Sequence, residues 1–472
     1  MATPYDEVAY PTTAFLQTHP DRLATHAALL GLPFAPPSRC RVLDVGGGDG
    51  MNVIGMALTC PDSEFVSFDL SESAVRRGRA VIQALALRNV KLFAGDVTSV
   101  EVEEGGFDYL IAHGFYSWVP PAARDAVLTL ARRSLGPAGI AFVSYNAQPG
   151  GHIRSIVRDL LSFALEGIAD PRDRLAAARD KLQEVTDSYP EADPFQRALK
   201  ARCRALLDIP GEVLLHDDLG EVFCPVYLTE FLDHAAAHGL GFLTEADPVR
   251  CMEGFAPEGA DPCAFNVVAA ARELDFRLMH GFRQTLLVHS EAVPDRRITP
   301  ARLAGLYVSS AAQRVGEDSF RLRSAEFRVA DDQITEALRQ ITSVFPLAVP
   351  LDDLIGDDER RLAFVRLYAA DLVRLHVEPP PFRTDVSERP EASALARLQV
   401  ARGEERIITL AHTVLPIDDP MSRAFIGLLD GRRTHAEIAA EMMQLSDRSA
   451  EAIRARTGEK LLELAQMPLL VA

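Results

Sequence analysis

Along the first 150 residues, short apolar runs alternate with stretches whose apolar residues recur at helical spacing. Val42-Leu43-Asp44, Phe65-Val66-Ser67-Phe68, Val90 to Ala94, Phe107 to Ala112 and Ile140 to Tyr145 read as buried strands. Between them, Asn52 to Leu58, Ala74 to Leu87 and the residues leading to about Leu135 read as helices, with a turn at Gly136-Pro137-Ala138-Gly139. Strand and helix alternating five times predict a doubly wound, mostly parallel α/β sheet. From 151 to about 207 the pattern becomes wholly helical, broken at Pro171 and Pro190, an insertion after the fifth strand. The sheet pattern resumes with a helix from Tyr227 to His238, a turn at Gly239 and a strand from Gly241 to Glu245. A loop with Gly254, Pro257, Gly259 and Pro262 then precedes a last, antiparallel strand from Phe282 to His289. Seven strands are thereby expected within residues 1–290.

Thr299-Pro300 reads as a helix start, with Thr as cap and Pro in the first turn, and opens a mainly helical middle region over 291–376. Val377 through Pro390, with Pro379-Pro380-Pro381, is a stiff linker. The last region, 391–472, places short helices around the turn Asp430-Gly431, one of them Met421 to Leu429 and one opened by the capping box Thr434-x-x-Glu437. It is a small helical or winged-helix-like module.

The first strand runs into Val45-Gly46-Gly47-Gly48-Asp49-Gly50, and a helix begins near Met51. A dinucleotide fingerprint needs a glycine at the sixth position, where helix and strand pack closely around a pyrophosphate. Counted from Gly46 that position is Met51, and counted from Gly48 it is Val53, so a nicotinamide cofactor is not expected. The acidic-x-Gly-x-Gly-x-Gly spacing suits a ligand without phosphate: S-adenosylmethionine, with a zwitterionic methionine end, tolerates Asp44. A second acid, Asp69, stands twenty-five residues on at the next strand end, placed to accept both ribose hydroxyls, with Leu70 after it. A third, Asp96, followed by Val97, closes the third strand, where it can accept the adenine amine. Ligands bind outside the carboxyl ends of parallel strands, so the three acids converge there. The expected cofactor residues are Asp44, Gly46, Gly48, Asp69, Leu70, Asp96, Val97 and His113.

The fourth strand delivers His113-Gly114-Phe115-Tyr116-Ser117-Trp118-Val119-Pro120, with the chain's only Trp, where the cofactor's reactive end belongs. The fifth leads into Asn146-Ala147-Gln148-Pro149. Tyr116, Trp118 and Tyr145 are candidate walls of an apolar acceptor channel. His113, the Tyr145 hydroxyl and Asn146 are candidates to orient an acceptor or take its proton through water. The catalytic set expected is therefore His113, Tyr116, Trp118, Tyr145 and Asn146.

The leader Tyr5-Asp-Glu-Val8-Ala-Tyr10-Pro11, the run Phe15-Leu-Gln17-Thr18-His19-Pro20-Asp21-Arg22-Leu23-Ala24, the glycine turn, the 113–120 block, Ser144-Tyr145-Asn146 and Phe282-Arg283-Gln284-Thr285-Leu286-Leu287-Val288-His289 together resemble the class I S-adenosylmethionine-dependent methyltransferases. More narrowly, the chain is similar to the bacterial, rickettsial-type protein-lysine methyltransferases that modify outer-membrane proteins, over roughly its first two-thirds. The resemblance implies a Rossmann-like sheet, methyl transfer to a lysine amine of a protein substrate such as an outer-membrane protein, and Tyr5 and Tyr10 as a lid over the cofactor. Gly47 departs from it, standing where a bulkier residue is usual, as do Ala147-Gln148 in a substrate-side loop.

Charge and cysteines narrow the classes further. A formal net charge of −18, from 49 Lys and Arg against 67 Asp and Glu, argues against a nucleic-acid partner, because phosphate affinity comes from clustered bases. Cys40, Cys60, Cys203, Cys224, Cys251 and Cys263 show no paired spacing, which points to free thiols in a reducing cytoplasm. No secretory leader and no apolar run of membrane-spanning length is read, so a cytoplasmic location is expected. His234 and His238 share a helix face at i, i+4, but with no third ligand nearby in sequence no metal is expected. The insertion is placed to cap an acceptor site, to form a homodimer contact, or both. Two other functions remain open at this point: a small-molecule or lipid O- or N-methyltransferase, and a non-catalytic binding scaffold.

Overall fold

The computed structural model describes residues 4–257, 261, 265–445 and 449–471. The leader carries one helical turn, Pro4–Glu7 (α1), and reaches the helix Pro20–Leu29 (α2), begun by a proline in its first turn and capped by His19. The sheet units follow: Arg41–Val45 (β1), Met51–Thr59 (α3), Glu64–Asp69 (β2), Glu72–Ala84 (α4), Val90–Ala94 (β3), Phe107–Ala112 (β4), Pro121–Ser134 (α5) and Leu135–Asn146 (β5). Three insertion helices, Gly151–Ala164 (α6), Pro171–Ser188 (α7) and Pro194–Leu207 (α8), and the short Gly211–Asp217 (α9) lead to Leu228–Ala237 (α10), Leu240–Glu245 (β6), Pro248–Cys251 (α11), Val267–Leu278 (α12) and Phe282–His289 (β7).

The strands form one seven-stranded sheet in the order β3-β2-β1-β4-β5-β7-β6, parallel except for β7, which runs antiparallel to β5 and β6. This is the doubly wound α/β fold. Its strands are apolar on both faces because both are covered. In β4, Tyr109 and Ile111 join one core while Leu110 and Ala112 join the other, and β5 divides Ile140 and Phe142 from Ala141, Val143 and Tyr145 in the same way. The turn expected at Gly136–Gly139 is corrected: those residues lie inside β5, where its register with β4 shifts between Phe107 and Tyr109. The insertion helices bury Val157, Leu161, Leu182, Val185, Cys203 and Leu206 in a core of their own.

Beyond the sheet, Thr299 makes no side-chain cap and Pro300–Leu303 is a single 3₁₀ turn, which corrects the helix start expected there. The middle region combines Tyr307–Ser309 (β8), Gln313–Arg314 (β9), Ser319–Leu322 (β10), Ala325–Arg328 (β11), Asp332–Ser343 (α13), Val349–Pro350 (β12), Leu351–Leu354 (α14), Asp358–Ala369 (α15) and Arg374–His376 (β13). Its two small sheets, β11-β10-β9 and β12-β8-β13, come in addition to the helices. The core does not stop at residue 290. Leu23, Leu29, Val53, Phe65 and Phe142 belong to the same buried cluster as Leu303, Val308, Phe320, Leu338, Phe364, Tyr368 and Leu375. Helix α2 is the hinge of this union: Asp21 Oδ2 lies 2.8 Å from His376 Nδ1, the Val377 N–H donates to Asp21 Oδ1 at 3.0 Å, and the Thr25 hydroxyl donates to the Leu375 carbonyl at 3.3 Å.

The last region has its own core, including Ile407, Phe425, Ile426, Ile438, Leu461 and Leu464. It is built from Ala394–Ala401 (α16), Arg406–Ile408 (β14), Val414–Pro416 (β15), Pro420–Leu428 (α17), His435–Gln444 (α18) and Ala450–Gln466 (α19). The Thr434–Glu437 capping box forms as expected. Leu395 and Ile408 pack with Ala14, Met51 and Ile54, so this module leans on the leader and on α3. There the buried Asn52 Oδ1 accepts from the Phe15 N–H at 3.0 Å and from His412 Nε2 at 2.9 Å, while its Nδ2 donates to Thr18 Oγ1 at 3.0 Å.

Candidate active site

The glycine turn bends back on the sheet through positive φ at Gly46, Gly48 and Gly50, of 69°, 61° and 74°. The Gly48 N–H, which this bend aims at β2, donates to Asp69 Oδ2 at 2.9 Å, and the Ser71 N–H donates to Asp69 Oδ1 at 2.8 Å. Asp69 is thereby fixed at the carboxyl end of β2. Burial raises its pKa, against the two backbone donors. Asp44 at the end of β1 is 3 % exposed and accepts the Ser67 hydroxyl at 2.8 Å. Burial pushes its pKa up to about 7; the Ser67 bond opposes this and the charge of Asp69 adds to it. Gly47 now has a physical reason. A Cβ there would lie 2.1 Å from Asp44 Oδ2 and 2.2 Å from Ser67 Oγ, so a side chain would evict the carboxylate from its pocket.

Asp96 stands at the end of β3, the third of three adjacent strand ends, and accepts the Thr98 N–H and hydroxyl, both at 2.8 Å. Val97, the next residue, is buried, and Leu70 is exposed. The structure thus sets Asp44, Gly46, Gly48, Asp69, Leu70, Asp96 and Val97 along one edge of the sheet.

His113 follows β4 directly. Its ring stacks on Phe15 of the leader at 3.7 Å and on Phe142 at 5.9 Å, and burial alone lowers its pKa to about 4. It is a neutral imidazole near neutral pH, able to accept a hydrogen bond. Asn146, at the end of β5, accepts a hydrogen bond from the Arg154 guanidinium on Oδ1 at 3.1 Å, and the same Arg154 is clamped by Asp218 at 2.9 and 3.1 Å. Arg154 also lies over the Trp118 ring at 5.0 Å, and Trp118 packs on Phe223 at 5.3 Å. Trp118, Asn146 and Arg154 form one connected group, with Trp118 in the loop that begins at His113.

Tyr116 and Tyr145 do not join it. Alternation along β5 sends Tyr145 to the face opposite Ser144 and Asn146, where its ring stacks on Phe231 at 4.2 Å and its hydroxyl meets Thr285 Oγ1 at 3.1 Å. Tyr116 packs edge-on against Phe231 at 5.0 Å, and its hydroxyl lies 2.7 Å from His234 Nδ1. Both tyrosines are buried core residues, which corrects their expected place in an acceptor channel. The leader does cross the site: Asp6 Oδ1 accepts the Ser71 hydroxyl and the Ser73 N–H, the Thr12 hydroxyl reaches Asp49, and the Val8 carbonyl meets His216 Nε2 at 2.8 Å. Tyr10 lies edge-on to the His216 ring at 5.8 Å. The side chain of Tyr5 lies outside the described residues, as does Cys263.

Sequence reasoning gave no role to Phe15 or Arg154 and noted Phe115 only as an aromatic near the Trp. Phe115 presses on the turn, since a Cβ at Gly46 would come within 2.6 Å of its ring. Only the position of Phe115 between two expected site residues could have signalled it.

Residues 42–139 match the family described as "Methyltransferase domain", 210–289 match "Predicted methyltransferase regulatory domain" and 388–467 match "PKMT, C-terminal winged helix domain". The chain is 32% identical over 232 residues to "Uncharacterized protein RP028" of Rickettsia prowazekii, covering 49% of this chain and 93% of that one. It is 31% identical over 299 residues to "Uncharacterized protein RP789" of the same organism, covering 62% of this chain and about half, 54%, of the relative. The structure of PKMT2 from Rickettsia typhi shares the fold with a TM-score of 0.84 over 98% of this chain and 100% of that one, at 22% identity. The same protein is also known in complex with AdoHcy, with a TM-score of 0.84 and 23% identity.

Proposed function

The chain belongs to the rickettsial-type family of S-adenosylmethionine-dependent methyltransferases, and from that premise we propose that it methylates the side-chain amine of a lysine in a protein. The observation that carries this reading is the connected group of Trp118, Asn146 and Arg154, reached through the loop that begins at a neutral, buried His113 after β4.

The residues fit the cofactor. The turn offers backbone N–H groups and no cationic phosphate clamp, and three acids at adjacent strand ends match an ammonium, two ribose hydroxyls and an adenine amine in turn. We assign Asp44, Gly46 and Gly48 to the methionine end, Asp69 and Leu70 to the ribose, and Asp96 and Val97 to the adenine. When bound, S-adenosylmethionine supplies a methyl group activated by its sulfonium. Replacing Asp69 by Ala is expected to weaken donor binding by about 1.5–3 kcal/mol for each charge-assisted bond lost, measured by calorimetry. Unchanged affinity would leave Asp69 as a turn residue only.

Asp44 gives donor binding a pH signature. A carboxyl held near 7 in the folded chain and near its ordinary value in the unfolded one makes the folded state bind the extra proton, so this group's contribution to stability falls as pH rises from about 4 to 7. An ammonium received by Asp44 favours the ionised form. Donor binding at about pH 6 is therefore expected to release a proton, and at about pH 8 almost none. Calorimetry in two buffers of different ionisation enthalpy reads this directly, and equal proton release at both pH values would remove Asp44 from the methionine end.

A lysine of pKa about 10.4 is neutral at pH 7 in only about one molecule in a few thousand, equivalent to ~4–5 kcal/mol. The chain's own residues lower that barrier. Trp118 and Phe223 carry Arg154 and Arg158 over their rings, and these fixed cations disfavour a further positive charge and so favour the neutral amine. His113, neutral because it is buried, accepts an amine N–H and so aims the lone pair. We assign Tyr10 and Phe15 of the leader to a lid over the site, a reading supported by the stacking of Phe15 on His113.

Residues 1–290 are assigned to methyl transfer, with the insertion at about 151–207 over the acceptor side; 291–376 and 391–472 are assigned to acceptor recognition. The acceptor we favour is a cell-envelope protein, an outer-membrane protein by resemblance, met in the cytoplasm. Among the described residues no helix is long and apolar enough to cross a membrane. The exposed Phe163 and Phe195 of the insertion offer an apolar contact for a homodimer. The test is incubation of the purified chain with labelled donor and a cell-envelope extract. We expect label in protein, a mass gain on lysine, turnover that rises with pH above 7, and Trp118→Ala lowering turnover far more than donor affinity. Label confined to small molecules, or a base-labile mass gain on Asp or Glu, would sink the lysine assignment while leaving methyl transfer intact.

A further inference from the structure

The histidine pair has the third partner that the sequence does not show. Asp125, in α5, lies 109 residues from His234 in the chain, yet its Oδ1 is 2.7 Å from His234 Nε2 and 3.8 Å from His238 Nε2. One ligand atom from each of the three residues falls within 4.8 Å of the others. The two imidazoles stand edge to face at 5.1 Å, so both Nε2 atoms turn toward the carboxylate. Their other nitrogens are held from behind: His234 Nδ1 is 2.7 Å from the Tyr116 hydroxyl, and His238 Nδ1 is 3.2 Å from Thr129 Oγ1.

We propose that Asp125, His234 and His238 bind a divalent transition-metal ion, with zinc as the type, in a site that joins α5 to α10. Two imidazole nitrogens and one carboxylate suit a borderline ion; calcium and magnesium take oxygen ligands, and copper(I) favours thiolates and thioethers. Zinc to nitrogen or oxygen distances near 2.1 Å put tetrahedral ligands about 3.4 Å from one another. The observed 2.7 and 3.8 Å bracket that value, and the exposed side chain of Asp125 needs only a small rotation to equalise them. Nδ1–H groups donating to Tyr116 and Thr129 set the tautomer that leaves both Nε2 lone pairs facing the ion, the outer partnership that metal-bound histidines require. The remaining position faces solvent.

The ion's role is a staple. Asp125 lies within residues 42–139 and the histidines within 210–289, so one ion fastens two separately matched segments of the chain. Its support, Tyr116, belongs to the same loop as His113 and Trp118. None of the residues assigned to donor or acceptor binding is a ligand, so the site stands or falls independently of the lysine reading.

The experiment uses the full chain, stripped with a chelator and titrated with Zn²⁺ by calorimetry, with thermal unfolding followed in parallel. One ion per chain is expected, with a higher Tm when it is bound. His238→Ala and Asp125→Ala, at positions outside the core, should fold, lose Zn²⁺ affinity by more than about 100-fold and lose the rise in Tm; Thr129→Val, which removes only the supporting oxygen, should lose about tenfold or more. A wild-type chain that takes up no Zn²⁺, or variants that bind it as the wild type does, would overturn the site.

Discussion

A chain ending at residue 290 is expected to be insoluble or to lack a cooperative unfolding transition, although it holds all seven strands of the main sheet. The reason is the core shared across that boundary. Leu23, Leu29, Leu30, Cys251 and Phe255 are buried in one cluster with Leu303, Leu306, Val308, Leu338, Ile341, Phe364, Tyr368 and Leu375. Each large side chain left facing water costs about 1.5–3 kcal/mol, so a handful exceeds the ~5–15 kcal/mol that keeps a domain folded. The cut also removes the His376 and Val377 partners of Asp21, stranding that acid beside apolar surface. A chain ending near residue 385 keeps this core; it removes a module with a core of its own, at the smaller loss of the contacts of Leu395 and Ile408 with Met51 and Ile54 and of the His412 bond to Asn52. It should unfold cooperatively. Circular dichroism melts of the two truncations decide the matter, and a 1–290 chain that melts sharply and binds donor would show the middle region to be an appendage.

Arg283→Met should be the most damaging single substitution in the described structure, losing about 3–5 kcal/mol. Arg283 is completely buried, and it bonds Glu245 at 2.6 Å, Glu253 at 3.1 Å and Asp275 at 2.8 and 3.1 Å. Burial opposes its charge, but the surrounding carboxylates outweigh that and hold it well above its ordinary pKa. Methionine fills the volume and leaves Glu253 and Asp275 paired with Arg250, while Glu245 loses its ion-pair partner among the described residues. Glu245 suffers most, since it also receives the Gln284 N–H and the Thr285 hydroxyl that fix β6 against β7. Arg283→Lys separates charge from shape: it keeps the charge, loses the multidentate fork and should fall between the two. Urea melts of the three proteins give the comparison, and a Met variant as stable as the wild type would mean that the cluster sets orientation without adding stability.

Much of the candidate site's placement along the sheet was legible because each strand ends in a residue whose chemistry is uncommon there. Asp44, Asp69, Asp96, His113 and Asn146 are all found at carboxyl ends of adjacent strands. What could not be read was which face a residue takes once its strand is buried on both sides. Tyr145 and Asn146 are neighbours, and a fully apolar strand gives no alternation by which to tell site from core. Asp125 was invisible for another reason, since only packing of α5 on α10 brings it to the histidines. The continuous core had a signal in α2, whose Arg22, Thr25 and His26 are buried along with its apolar residues. A helix buried nearly all round needs a second layer against it, and polar residues hid that need.

The side chain of Asn52 makes the two ends of the protein thermodynamically answerable to each other. The oxygen that receives Phe15, the residue stacked on His113, also receives His412 from the C-terminal module. Burial holds His412 well below the usual histidine pKa, so it donates as a neutral ring. Free energies of binding that pass through a shared group are reciprocal. Whatever shifts His412 in the C-terminal module bears on the bond that Asn52 makes to the leader at Phe15, and a displaced leader bears on His412 in equal measure.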